Sequence, residues 1–359
     1  MRKYQVTLFF LVSVVCSAGH PQTVGDAGWK VKMHGLLQDT LTLIPYAFDD
    51  KKFADPKNRA AIQTSMTSLL SHVDDLKKHI DRNVKGKTMD PSLAVIAEDF
   101  QEDLTFANAM FAQPAVAGRN SQIYLKSSLS RCLECHTQSD AGPEMQINAF
   151  SKQIENLSAP DKILAFASTR QFDKALSEFN QMTARPDTAK MDVFNFEHAL
   201  RTALLITIRV KNDPEATLKV LDGALNSHAG SESIKVDMRD WKKSVVSWKG
   251  EKTKMTLTDS ADYDRSQELF YLAKAKAGSF DHYQNSDILL LRSSAYLHHL
   301  LASYPKSQLR AKSFLLLAQI YDGLPGFAVW ELPEQYLSRC IRENPKTKIV
   351  NQVCFAMTR

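Results

Sequence analysis

Apolar residues recur at three- and four-residue spacing along most of this chain, and glycine and proline fall between those stretches rather than inside them. That period belongs to α-helices that bury one face. Alternating β-type runs are almost absent, so the sequence predicts an all-α fold. Four helices are expected in the first part. One runs from about Gly28 to Ala47, with Trp29, Met33, Leu36, Leu37, Leu41 and Ile44 on one stripe. A second starts after Pro56 and carries Ile62, Met66, Leu69, Leu70, Val73, Leu76 and Ile80. Asp90 as N-cap and Pro91 at the first helical position open a third, with Leu93, Ile96, Phe100, Leu104, Ala107 and Phe111. The fourth runs from Ser121 through Tyr124, Leu125 and Leu129 to His136, and residues 139–143 end it. Four amphipathic helices with short connections predict a four-helix bundle.

A chain of 359 residues is long for one compact domain, so two are expected. The N-terminus reads as a targeting segment. Arg2 and Lys3 precede an apolar run from Val6 to Val15, and Ser17, Ala18 and Gly19 follow it. This order is that of a secretory signal peptide over residues 1–18, with cleavage after Ala18. Cys16 is read as part of the discarded segment, and no other stretch has the length and apolarity of a membrane span. A periplasmic location is expected. The net charge is only +5, and lysine and arginine alternate with acidic residues along helices. That pattern speaks for solvated helix faces and against nucleic-acid binding.

The second part, about residues 150–359, repeats itself. Tyr296, Leu297, Leu301, Pro305, Lys306 and Ser307 align at a forty-residue offset with Tyr336, Leu337, Ile341, Pro345, Lys346 and Thr347. Residues 163–181 read as a looser copy of a first helix. Helical hairpins repeated in this way build α-solenoids, in which each hairpin buries its apolar face on the next. The stretch 234–263, rich in Lys, Asp, Ser and Thr, is expected to be an irregular insertion. Over most of residues 161–357 the pairs resemble the tetratricopeptide-repeat superfamily.

Residues 131–136, Arg-Cys-Leu-Glu-Cys-His, contain the Cys-x-x-Cys-His pattern of covalent haem attachment. On a helix the two thiols, Cys132 and Cys135, stand about one turn apart, which suits thioether bonds to the two vinyl groups of one haem c. His136 is then placed to ligate the iron. A thioredoxin-type dithiol belongs in a βαβ setting, a zinc site needs two further ligands nearby, and a disulfide inside one helical turn is strained. The sequence offers none of those contexts.

A Cys-x-x-Cys-His on the last helix of a four-helix bundle resembles the cytochrome c-prime group and its low-spin relatives, over about residues 26–140. The run Lys32-Met33-His34-Gly35-Leu36-Leu37 is similar to the first helix of that group, which implies Met33 as the distal iron ligand. One departure is that Gly142 and Pro143 stop the last helix soon after His136. Under the forty-residue offset Cys340 falls on Leu300 and Cys354 on Phe314, so a disulfide between Cys340 and Cys354 is expected to staple the terminal hairpin. Glu134 is expected to be solvated, and His298 and His299 to be surface or interhelix residues. The expected function is one-electron transfer rather than catalysis, with a redox partner docked on the solenoid. The alternative, if Met33 is not a ligand, is a five-coordinate haem that binds nitric oxide or carbon monoxide.

Overall fold

The computed structural model describes residues 27–85, 92–113, 119–138, 154–251, 258–277, 286–324, 326–327 and 332–343. Among these residues there are fourteen α-helices and no strand, so the chain is all-α. The expected signal segment, Gly142, Pro143 and Cys354 lie outside the described residues.

Helix α1 (Ala27–Ala47) leads through a short α2 (Asp50–Ala54) into α3 (Arg59–Lys85). The turn between them is built from side-chain caps. Asp49 accepts from the Lys52 N–H to start α2, and Asp55 accepts from the Lys57 N–H to start a single 3-10 turn at Pro56–Asn58. Helices α4 (Ser92–Ala112) and α5 (Arg119–His136) complete the group. Successive helices pack side by side, and α5 closes back on α1. Their order is antiparallel, because the Arg59 guanidinium donates to the Phe111 carbonyl and the Lys77 ammonium donates to the Gln101 amide oxygen further along α3.

The core of this group is the stripe that the periodicity marks. Ile62, Met66, Leu69, Val73, Leu76 and Ile80 of α3 are all buried, against Leu36 and Leu43 of α1 and Phe100, Leu104 and Phe111 of α4. Each such side chain contributes about 1.5–3 kcal/mol relative to an exposed one.

A second apolar face is turned the other way. Leu37, Leu41 and Ile44 of α1, Val95 and Ile96 of α4, and Leu129 and Leu133 of α5 belong to the same cluster as the core of residues 154–340. The two halves therefore share one hydrophobic interior.

The second half is a series of packed helices: α6 (Ala159–Ser168), α7 (Phe172–Thr183), α8 (Val193–Leu205), α9 (Pro214–Asn226), α10 (Glu232–Lys249), α11 (Asp259–Ala277), α12 (Asp287–Ser303), α13 (Arg310–Asp322) and α14 (Leu332–Glu343). Neighbouring pairs such as α6/α7, α9/α10, α11/α12 and α13/α14 pack on one another. Polar caps start several of them: Ser158 before α6, Asp192 before α8, Asp213 before α9 and Ser231 before α10. Helix α8 runs on into a π turn at Ile206–Val210.

Positions related by the forty-residue offset fall on buried faces of α12 and α14. Tyr296 and Tyr336, Leu297 and Leu337, and Leu300 and Cys340 are all buried. Over 234–249 the expectation of an irregular insertion is overturned by α10, and residues 252–257 of that stretch lie outside the described residues. Ile234, Met238, Trp241, Val245 and Trp248 recur at helical spacing and are all buried. Lys243, Ser247 and Lys249 are exposed on its other side, while Asp237 and Ser244 are buried with the stripe.

Candidate functional site

The Cys-x-x-Cys-His run occupies the last turn and a half of α5, whose regular helix ends at His136. Cys132 and Cys135 are therefore one turn apart, as their spacing requires. Cys132 packs on the core of the first helices and Cys135 on the shared interior. Burial, with the neighbouring Cys135 thiol second, pushes the Cys132 thiol up to about 12.

The His136 ring is held by the second half of the chain. Its Nδ1 lies 2.6 Å from the Ser168 carbonyl oxygen at the end of α6. A carbonyl can only accept, so Nδ1 carries the hydrogen, and the neutral ring keeps its lone pair on Nε2. Among the described residues nothing hydrogen-bonds to that Nε2. Burial and then the Arg170 charge lower the His136 pKa to about 4, against the hydrogen bond to Ser168, so the ring is neutral at pH 7. Ser168 itself is tied to α5, its hydroxyl donating to the Leu129 carbonyl over 3.0 Å.

Met33 lies on α1, partly buried against the same apolar cluster as Cys132. The Gln122 side chain donates to the Tyr46 carbonyl and sets the register of α5 against α1. Thirteen residues back along α1 and thirteen forward along the antiparallel α5 bring Met33 level with Cys135. On α4 the same end of the core presents Ala94 and Ala97 beside Leu93, and the rest of the helix presents Phe100, Leu104, Ala107 and Phe111. The neighbouring His34 is exposed.

Glu134, in the middle of the motif, is not solvated. It is 3% exposed and accepts from the Tyr321 hydroxyl at 2.7 Å and the Arg209 guanidinium at 3.3 Å. The π turn places Arg209 there, and its Nε also donates to the Ser294 hydroxyl. Because the Tyr321 hydroxyl donates to Glu134, the 2.9 Å contact with His298 Nε2 places that imidazole hydrogen on Nε2. Tyr321 stacks on Tyr336, with ring centroids 5.5 Å apart. His298 is thus buried between helices, and His299 bonds Asp262 at 2.6 Å. None of these partners was legible, since a buried arginine on a helix has the same spacing as a solvated one.

Cys340 is buried on α14, its Sγ 3.4 Å from the Ala311 carbonyl oxygen, and its expected partner Cys354 lies outside the described residues. Among the described residues no three His, Cys, Asp or Glu side chains gather where they could hold a metal ion. No helix among them is long and apolar enough to cross a membrane. Compared with known families, curated proteins and solved structures, the chain has no match.

Proposed function

We propose that this protein is an exported mono-haem c-type cytochrome that carries single electrons, with the haem on α5 at Cys132, Cys135 and His136. The observation that carries this reading is the His136 ring, whose Nδ1–H is engaged by the Ser168 carbonyl and whose Nε2 lone pair is left unprotonated beside two thiols one turn apart. Orienting an imidazole through a carbonyl on its other nitrogen is how proteins prepare a histidine for a metal.

The remaining residues fit the same group. A Cys132 thiol pushed up to about 12 is a poor thiolate nucleophile, which speaks against disulfide exchange. Ala94 and Ala97 leave the thinnest side chains of the core at the level of the motif. Leu36, Leu76 and Ile80 exclude water from that layer. Met33, level with Cys135, is the candidate for the second axial position. A haem bound there would supply a reversible one-electron couple. Residues 154–343, which we read as a tetratricopeptide-like solenoid, hold the motif from behind and offer a surface for a redox partner. The export signal over residues 1–18 and a Cys340–Cys354 staple belong to the same reading, as periplasmic features.

The test is expression with periplasmic c-type maturation, followed by mass spectrometry and optical spectra. The wild type is expected to be heavier by one haem, and Cys132→Ser with Cys135→Ser to carry none. Reduced wild type should be low-spin, with the weak oxidised methionine–iron band lost in Met33→Ala. Absence of covalent haem from the matured wild type overturns the reading. A high-spin spectrum that responds to carbon monoxide and ignores Met33→Ala moves the assignment to gas binding.

A further inference from the structure

Arg170 stands in the turn between α6 and α7, where a long side chain is out of place. Its φ is +59°, in the left-handed region that glycine occupies freely and arginine only at an energetic cost. It is nonetheless 8% exposed, with its guanidinium 5.2 Å from the centre of the Phe172 ring. From there Nη1 donates to the His136 carbonyl oxygen over 3.1 Å. That carbonyl is among the last four of α5, which the helix itself leaves without a donor. The same turn supplies the Ser168 carbonyl that holds His136 Nδ1. A strained backbone thus delivers a buried cation to the residue proposed above as the iron ligand.

Resting on the cytochrome reading, we propose that Arg170 is a positioning and tuning residue for the haem. It fixes the end of α5 through the His136 carbonyl, and its charge holds the reduction potential up. The physical reason is the charge change of the couple. One electron arriving from a partner redox protein lowers the positive charge at the site by one, and no bond or proton need move. A fixed cation close by in a water-poor setting disfavours the more positive oxidised state.

Three variants separate charge from structure. Arg170→Gly removes the cation and relaxes the left-handed backbone, Arg170→Gln keeps an N–H donor for the His136 carbonyl without charge, and Arg170→Lys keeps the charge. Each is matured with haem, its haem load is measured by mass, and its midpoint potential is read by optical redox titration. The expected result is a lower potential in Gly and Gln and a potential near wild type in Lys. Should Gly fail to mature, the Gln and Lys pair still decides. Haem-loaded Gln or Gly protein with the wild-type potential overturns the proposal while leaving the cytochrome reading intact. A wild type without covalent haem overturns that reading instead.

Discussion

Helices α3 and α12 are both central to their halves of the molecule, and they are held by different physics. Helix α3 buries one stripe, Ile62 to Ile80, while Thr67, Ser71, Asp75 and Lys78 face solvent on the other side. Helix α12 is enclosed almost all round. Its Asp287, Arg292, Ser293, Ser294 and His298 are as buried as its leucines. Apolar pressure alone cannot choose the rotation of such a helix, because every face is covered. Polar partners choose it: Ser293 donates to the Ser266 carbonyl at 2.8 Å, Arg292 reaches Glu251 at 2.6 Å, and His298 meets Tyr321. Buried polar groups are costly unless paired, so only one rotation satisfies them all. The motif helix α5 sits between these regimes, with Cys132 on the apolar stripe and Glu134 in the polar network.

The contrast can be broken most sharply at Glu134. Glu134→Ala leaves Arg209 buried without its carboxylate, and a loss of about 3–5 kcal/mol in urea unfolding is expected. A loss below about 1 kcal/mol would mean that the network does not set the packing. Met66→Ala tests the apolar regime, since Met66 is wholly buried on α3. A loss of about 2–4 kcal/mol is expected, unchanged by salt, and a strong salt dependence would contradict a purely apolar origin.

Asp287→Asn sharpens the comparison with an effect of the opposite sign, a gain rather than a loss, confined to higher pH. Burial raises the Asp287 pKa from 3.8 to about 8, with Arg201 opposing and Asp237 adding. The unfolded chain releases this proton near pH 3.8 and the folded one holds it to about pH 8, so the folded state is disfavoured progressively as pH rises between those values. The uncharged amide of the variant would resemble the neutral acid. Calorimetry should show a Tm a few degrees above wild type at about pH 8 and no difference at about pH 4. Equal Tm values at both pH values would show that Asp287 is ionised in the fold.

The halves also differ in how much of them could be read. The first four long helices lie within about three residues of expectation, apart from the short α2, because each has a clean stripe and capping or proline punctuation. Helix α10 has a stripe too, but its Lys, Asp and Ser content resembles a loop when composition is weighed before spacing. The burial of Glu134 is hidden for a related reason. Nothing local distinguishes a carboxylate that faces water from one that will meet an arginine 75 residues later.

By itself the sequence determined the all-α class, the helix boundaries of the first half, and the placing of two thiols and a histidine within a turn and a half of one helix. Those follow from short-range rules, the 3.6-residue period and the caps. Only the tertiary structure decided that the Ser168 carbonyl holds His136 Nδ1, that Arg170 reaches the end of α5 from a left-handed turn, and that Glu134 is enclosed with Arg209 and Tyr321. Those contacts join residues 32 to 187 positions apart, and their partners are chosen by burial, where an unpaired polar group is penalised, rather than by any local spacing.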